Sequence, residues 1–215
     1  SLTPLSATNL TVAQHQAIDF IYERDFAILK LPMGFGKTVC SLTAATELIE
    51  AGHLNRVLVL APARVCSLTW AREAELWSQL NLPVAIGVGS KANAIGALRS
   101  DKPIVVVGYN VFAAAAKDCD KIVKNDFDGL ILDELTKLSE PGGAWHKAVR
   151  KYADTFTWRV GLAGTLVHEG LDTLYGMCRL IDLGKALGRR QDAFREEYFM
   201  ATDWQRRVWE PREGS

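Results

Sequence analysis

The stretch "AILKLPMGFGKTVCSL", residues 27–42, decides how the rest of the chain is read. It passes from an apolar segment through Gly34 and Gly36 into Lys37 and Thr38, then into a helical pattern. The phosphate-loop consensus is G-x-x-x-x-G-K-[ST], placed after a strand and opening a helix. Leu31 stands where its first glycine is expected, while Met33, Gly34, Phe35, Gly36, Lys37 and Thr38 supply the working end. Glycines let the backbone curl so that successive N–H groups point into one concavity, and the positive end of the following helix completes an anion cradle. Lys37 is then expected to reach the β- and γ-phosphates of ATP, and the Thr38 hydroxyl to ligate Mg²⁺. The bland alternative is a glycine turn before a helix. A G-x-G-K-[ST] string arises by chance in roughly one chain in a hundred of this length, and its strand and helix flanks lower that further.

Outward from this loop, short runs rich in Val, Ile and Leu recur at 26–31, 56–61, 83–88, 103–109, 129–133 and 159–164. Continuous apolar runs are what parallel strands buried on both faces require. Helical patterns lie between them, among them "KTVCSLTAATELIEAG", which ends at a cap-like Gly52, and "LTWAREAELWSQL". The alternation predicts an α/β fold with a mostly parallel sheet and helices on both faces. After about residue 170 the strand runs stop and the pattern reads as helical, ending in a linker-like "EPREGS". The expected division is a core over 1–170 and a helical extension and tail over 171–215.

The run "FDGLILDELTK" supplies a partner for the loop, because its strand ends in Asp133 and Glu134. A carboxylate at that place can hold Mg²⁺, directly or through water, and the next can orient the attacking water. Both would sit outside the carboxyl ends of the strands, where open α/β sheets bind their ligands.

The 25 basic and 25 acidic residues balance, so net charge gives no overall pull toward nucleic acid or anionic lipid. Cys40, Cys66, Cys119 and Cys178 are scattered singly and read as reduced core thiols. No segment approaches eighteen consecutive apolar residues and no export signal opens the chain, so a cytoplasmic protein without a membrane span is expected. His15, His53, His146 and His168 share no metal-ligand spacing and read as structural or surface residues. Trp204 and Trp209, set among arginines, could stack on bases or equally pack the end of the domain.

Taken together, these residues resemble the first RecA-like domain of a superfamily 2, Swi/Snf-like DNA helicase or translocase of the bacteriophage type. "LPMGFGKT" resembles motif I, whose Swi/Snf form also lacks the first glycine, and "LDEL" resembles motif II. "LTVAQHQAIDFIYER" resembles the segment carrying an adenine-reading glutamine, with Gln14 the better match than Gln16. "VLVLAPARVCSLTWAREAELW" resembles motif Ia, which implies that Pro62 and Arg64 face a DNA backbone; Trp70 and Trp77 are read as packing. "VVVGYNVF" resembles motif Ib and implies Tyr109 and Asn110 near the same groove. "VGLAGTLVHEG" resembles motif III, which couples nucleotide to DNA through Gly164 and Thr165. The resemblance covers roughly residues 10–211. It departs at Thr136, Ala163 and Leu166, where the family often has histidine, threonine and proline.

The resemblance implies a P-loop NTPase half that binds ATP and Mg²⁺, acts on DNA, chiefly duplex, and works with a second RecA-like domain. That domain would come from the rest of the chain or from a separate polypeptide, and would bring an arginine finger, worth on the order of a thousandfold in phosphoryl transfer. Host cytoplasm is the expected place if the protein is phage-encoded. The competing expectation is a nucleotide- or DNA-binding module of a phage replication complex that does not hydrolyse ATP.

Overall fold

The computed structural model describes residues 5–164, 171–184 and 208–209. All six apolar runs form strands: β1 (Phe26–Lys30), β2 (Val57–Ala61), β3 (Val84–Gly87), β4 (Ile104–Gly108), β5 (Gly129–Leu132) and β6 (Trp158–Ala163). They lie in one parallel sheet in the order β3-β4-β2-β5-β6-β1, and a short strand, β7 (Val208–Trp209), adds to the outer side of β1. Every residue of β2, β4, β5 and β6 is buried, which is why their sequences are apolar without alternation. The edge strand β3 is only partly covered.

Period-two alternation splits the core into two layers. On one face, Leu58, Leu60, Val105 and Val107 pack against α5 (Lys91–Arg99), α6 (Tyr109–Asp118), α7 (Asp120–Asn125), α8 (Ala144–Arg150) and α9 (Leu171–Asp182). On the other, Val57, Val59, Ile104 and Val106 pack against α1 (Val12–Tyr22), α2 (Lys37–Glu50) and the segment α3 (Ala63–Val65) to α4 (Ala71–Leu76). Connections that step toward β3 put their helices on the second face, and those that return toward β6 use the first. Right-handed crossovers require that switch of face when the direction reverses.

Local chemistry sets the helix ends. Thr11 caps α1 in a reciprocal capping box with Gln14. At the end of α2, Gly52 takes φ +77°, its N–H reaching Ile49 O and that of His53 reaching Leu48 O, a Schellman ending. All four cysteines are buried, free thiols.

Two expectations change. The division at residue 170 does not separate α9 from the core: Met177, Cys178, Leu180 and Ile181 are buried in the same layer as α5 to α8. Strand formation also does not stop at 170, since β7 pairs with Ile28 and Leu29. A two-residue strand carries no readable periodicity. The helical pattern expected over 189–200 lies outside the described residues.

Candidate functional site

Parallel strands place all their carboxyl ends on one edge of the sheet, and every candidate residue that the structure describes follows one of those ends, apart from Gln14 on α1. The order along the edge is Tyr109 and Asn110 after β4, Pro62 and Arg64 after β2, Asp133 and Glu134 after β5, Gly164 after β6, and the glycine loop after β1. With neighbouring strands about 4.8 Å apart, the loop lies roughly 10 Å from the carboxylates and about 19 Å from the end of β4.

The loop leaves β1 after a last tie, Leu31 N–H to Ala163 O at 2.9 Å. Gly34 and Gly36 take φ values of +82° and +91°, the left-handed region that side chains resist. Gly36 then caps α2, whose first ladder bond runs from Cys40 N–H to Gly36 O. The amides of the first turn, including Lys37 and Thr38, thus lack intrahelical acceptors and present a partial positive charge. Thr38 is buried and Lys37 half-buried, while Met33 is 98% exposed at the loop tip. Space beside Gly34 is open, with nothing within 4 Å of where a Cβ would stand.

Gln14 braces this loop from behind. Its Nε2 donates to Phe35 O at 2.6 Å, and its Oε1 accepts from Thr11 N–H at 2.8 Å. A Cβ on Gly36 would come 2.7 Å from that Nε2. Gln16 sits on the exposed side of α1.

Asp133 is wholly buried. Its Oδ1 accepts from the Glu134 amide at 2.8 Å and its Oδ2 from the indole Nε1 of Trp70 at 2.9 Å. Its carbonyl accepts from the Tyr109 hydroxyl at 2.7 Å. Glu134, half-buried, holds φ 46° and ψ 55°, a left-handed conformation for a non-glycine residue directly before the 3₁₀ turn Leu135–Leu138. Backbone strain of that kind persists where surrounding structure over-determines it, often at functional positions. Burial, and then the charge of Asp133, push the Cys66 thiol up to about 12 and the Tyr109 phenol well above its ordinary range, so both stay neutral donors.

Tyr109 therefore corrects an expectation. Its side chain does not line an outer groove: it is buried, stacks on Trp145 at 5.3 Å between centroids, and supports Asp133 from within. Trp70, read from sequence as packing, is also a hydrogen-bond donor to the carboxylate. A wholly buried indole needs an acceptor for its N–H, which is the signal that could have flagged it. Arg64 and Asn110 are exposed at adjacent strand ends, and a Cβ on Gly108 would meet Asn110 Oδ1 at 2.8 Å and Ala63 Cα at 3.5 Å. Gly164 is exposed beside the loop, with Leu31 O 4.0 Å from where its Cβ would stand, and Thr165 lies outside the described residues.

Thr38 and Asp133 offer hard oxygen donors, and each Asp133 oxygen keeps an unused lone pair. That donor set fits Mg²⁺, which takes one or two protein oxygens and keeps its remaining sites for water and phosphate. Among the described residues no cluster of three or more His, Cys, Asp or Glu could hold another metal, and no helix is long and apolar enough to cross a membrane.

The strand order and the loop at its edge define a domain with the RecA-like fold of SWI2/SNF2 ATPase cores. The model of the SNF2-related domain matches residues 13–205, and the chain belongs to that family. It is 34% identical over 197 residues to the putative protein p41 of Acyrthosiphon pisum secondary endosymbiont phage 1, covering 86% of this chain and 42% of that one. It is 27% identical over 176 residues to the chromodomain-helicase-DNA-binding protein 3 homolog of Caenorhabditis elegans, covering 72% of this chain and 10% of the relative. The Sulfolobus solfataricus SWI2/SNF2 ATPase core solved in complex with dsDNA superposes with a TM-score of 0.78 at 17% identity, covering all of this chain and 47% of that one. The chain thus spans less than half the length of these relatives.

Proposed function

We propose that this domain is the ATP-binding half of a DNA-dependent ATPase, a Swi/Snf-like translocase or helicase that requires a second RecA-like domain for full activity. The observation that carries the reading is the order along the sheet edge. The exposed Arg64 and Asn110 follow the neighbouring strands β2 and β4, the glycine loop follows β1, and Asp133, Glu134 and Gly164, after β5 and β6, stand between them.

In this reading Lys37 and the first-turn amides of α2 bind the β- and γ-phosphates. Thr38 and Asp133 would hold Mg²⁺, which when bound supplies charge neutralisation at the phosphates. Glu134 orients the attacking water, and Gln14 shapes the loop on the adenine side. Pro62, Arg64 and Asn110 contact the backbone of duplex DNA, which positions the strand without reading its sequence. Gly164 and Thr165 couple the two regions. That this chain covers only 47% of the archaeal core supports the need for a second domain. The phage relative supports action in a host cytoplasm.

The test is ATP hydrolysis with and without duplex DNA, for this chain alone and mixed with a separately expressed second RecA-like domain. Turnover that appears in the mixture, rises with DNA and vanishes in Lys37→Ala is the expected result. One observation favours a second reading, a module that binds without turnover. Ala163, which stands in place of the motif III threonine, is buried and paired with Lys30, so it offers no hydroxyl to the site. ATP binding without turnover under every condition would select that reading.

A further inference from the structure

Trp70 closes a π-helical turn, Cys66–Trp70, inserted between α3 and α4. A π turn carries extra residues per turn and changes the direction in which later side chains point, and such turns gather at functional sites. Here Trp70 is wholly buried with its indole N–H on Asp133 Oδ2. At the other end of the turn, Cys66 donates its thiol to Ala61 O at 3.5 Å, tying it to the end of β2. Ser67 and Leu68 remain exposed between these two buried anchors. One short segment therefore begins at Pro62 and Arg64, on the outer edge, and ends in a hydrogen bond to a buried carboxylate.

That carboxylate depends on few donors. A buried ionised group is tolerated only when hydrogen-bonded, and Asp133 receives the adjacent Glu134 amide on one oxygen and Trp70 on the other. The amide moves with Asp133 itself. Trp70, 63 residues away in sequence, is the donor that can fix the carboxylate relative to the sheet.

We propose that Trp70 is a positioning residue that sets the Asp133 carboxylate for Mg²⁺ and links it to the Pro62–Trp70 segment, so that a duplex bound at that segment alters the metal side of the nucleotide site. This rests on the nucleotide and DNA reading above. The Asp133 oxygens then keep one lone pair each directed away from their donors, and a shift of the π turn reorients them.

ADP binding is measured in EDTA and in Mg²⁺, with and without duplex DNA, for the unsubstituted protein, Trp70→Phe and Trp77→Phe. The Trp77 indole donates to Glu73 outside the site and serves as the control. The expected result is that Mg²⁺ tightens ADP binding about tenfold less in Trp70→Phe, the scale of lost outer-shell support, while affinity in EDTA and the behaviour of Trp77→Phe are unchanged. DNA is expected to change the Mg²⁺-dependent affinity of the unsubstituted protein and not that of Trp70→Phe. Equal weakening with and without Mg²⁺, or full Mg²⁺ dependence in Trp70→Phe, overturns the positioning role. An unsubstituted affinity indifferent to DNA overturns the link. If the unsubstituted protein binds no ADP in either condition, the nucleotide reading falls and takes the proposal with it; if it binds ADP equally in EDTA and in Mg²⁺, the positioning role alone is overturned. Should Trp70→Phe fail to fold, the ¹⁵N indole resonance of Trp70, assigned through its own ring correlations in the unsubstituted protein, decides. A shift on adding Mg²⁺ to the ADP complex supports the role, and its absence overturns it.

Discussion

The Gln14 side-chain amide donates a 2.6 Å hydrogen bond to the Phe35 carbonyl, joining the first helix to the loop that precedes the second. Because the other half of the same amide is held by the Thr11 N–H, the side chain has little freedom to lose when the loop adopts its shape. Gln14→Ala removes both contacts. Its expected effect is a loss of about 1 kcal/mol, or roughly fivefold in nucleotide affinity, with the fold retained. Calorimetric titration of ADP against Gln14→Ala and Gln16→Ala checks this, the exposed Gln16 being expected to have no effect.

Gly34 and Gly36 share positive φ but differ in surroundings. Gly34→Ala meets open space, so only left-handed strain is expected, about 1–2 kcal/mol. Gly36→Ala adds a Cβ 2.7 Å from Gln14 Nε2 and must displace the brace as well. Thermal unfolding is expected to rank Gly36→Ala as the more destabilised, and ADP binding to be lost more fully in it.

The buried Tyr109 and the exposed Arg64 should separate support from contact. Tyr109→Phe leaves the Asp133 carbonyl without its hydroxyl donor, for a stability loss of about 1–3 kcal/mol, and leaves duplex affinity unchanged. Arg64→Ala leaves stability unchanged and lowers duplex affinity uniformly across sequences, with the salt slope reduced by about one. Fluorescence anisotropy over a salt series distinguishes the two.

His146, on α8, is buried against α9, its Nε2 3.2 Å from the Gly176 carbonyl oxygen. Burial, more than the charges of Arg150 and Arg179, pulls its pKa below the ordinary histidine value. The unfolded chain then binds a proton at a higher pH than the folded one, so stability is full above about pH 6.5 and falls as the pH drops through the interval below it. His146→Gln should flatten the dependence of the unfolding temperature on pH between about 7.5 and 5.5.

Much of the candidate site is legible in the sequence because the features that propose it are local. Gly36 announces itself by sitting before Lys37 and Thr38, since a left-handed residue ahead of a helix start has few other uses. Asp133 announces itself as the first charged residue after a buried strand. Tyr109 had no such mark. It directly follows β4, and whether its ring turns inward depends on Trp145, 36 positions further on, which stacks against it.

The sequence by itself determined the six core strands, the helices that follow them, the glycine loop, and hence the edge on which the site lies. Each of these rests on a run of neighbouring residues whose burial or backbone angle their own side chains dictate. Only the tertiary structure decided the strand order that sets Arg64 and the glycine loop three strands apart along that edge, with β5 and β6 between them. It also decided the inclusion of α9 in the core, the pairing of β7 with β1, and the bond from Trp70 to Asp133. These join segments far apart along the chain through packing and geometry that no local pattern records, because a buried donor and its acceptor meet only once the sheet between them is assembled.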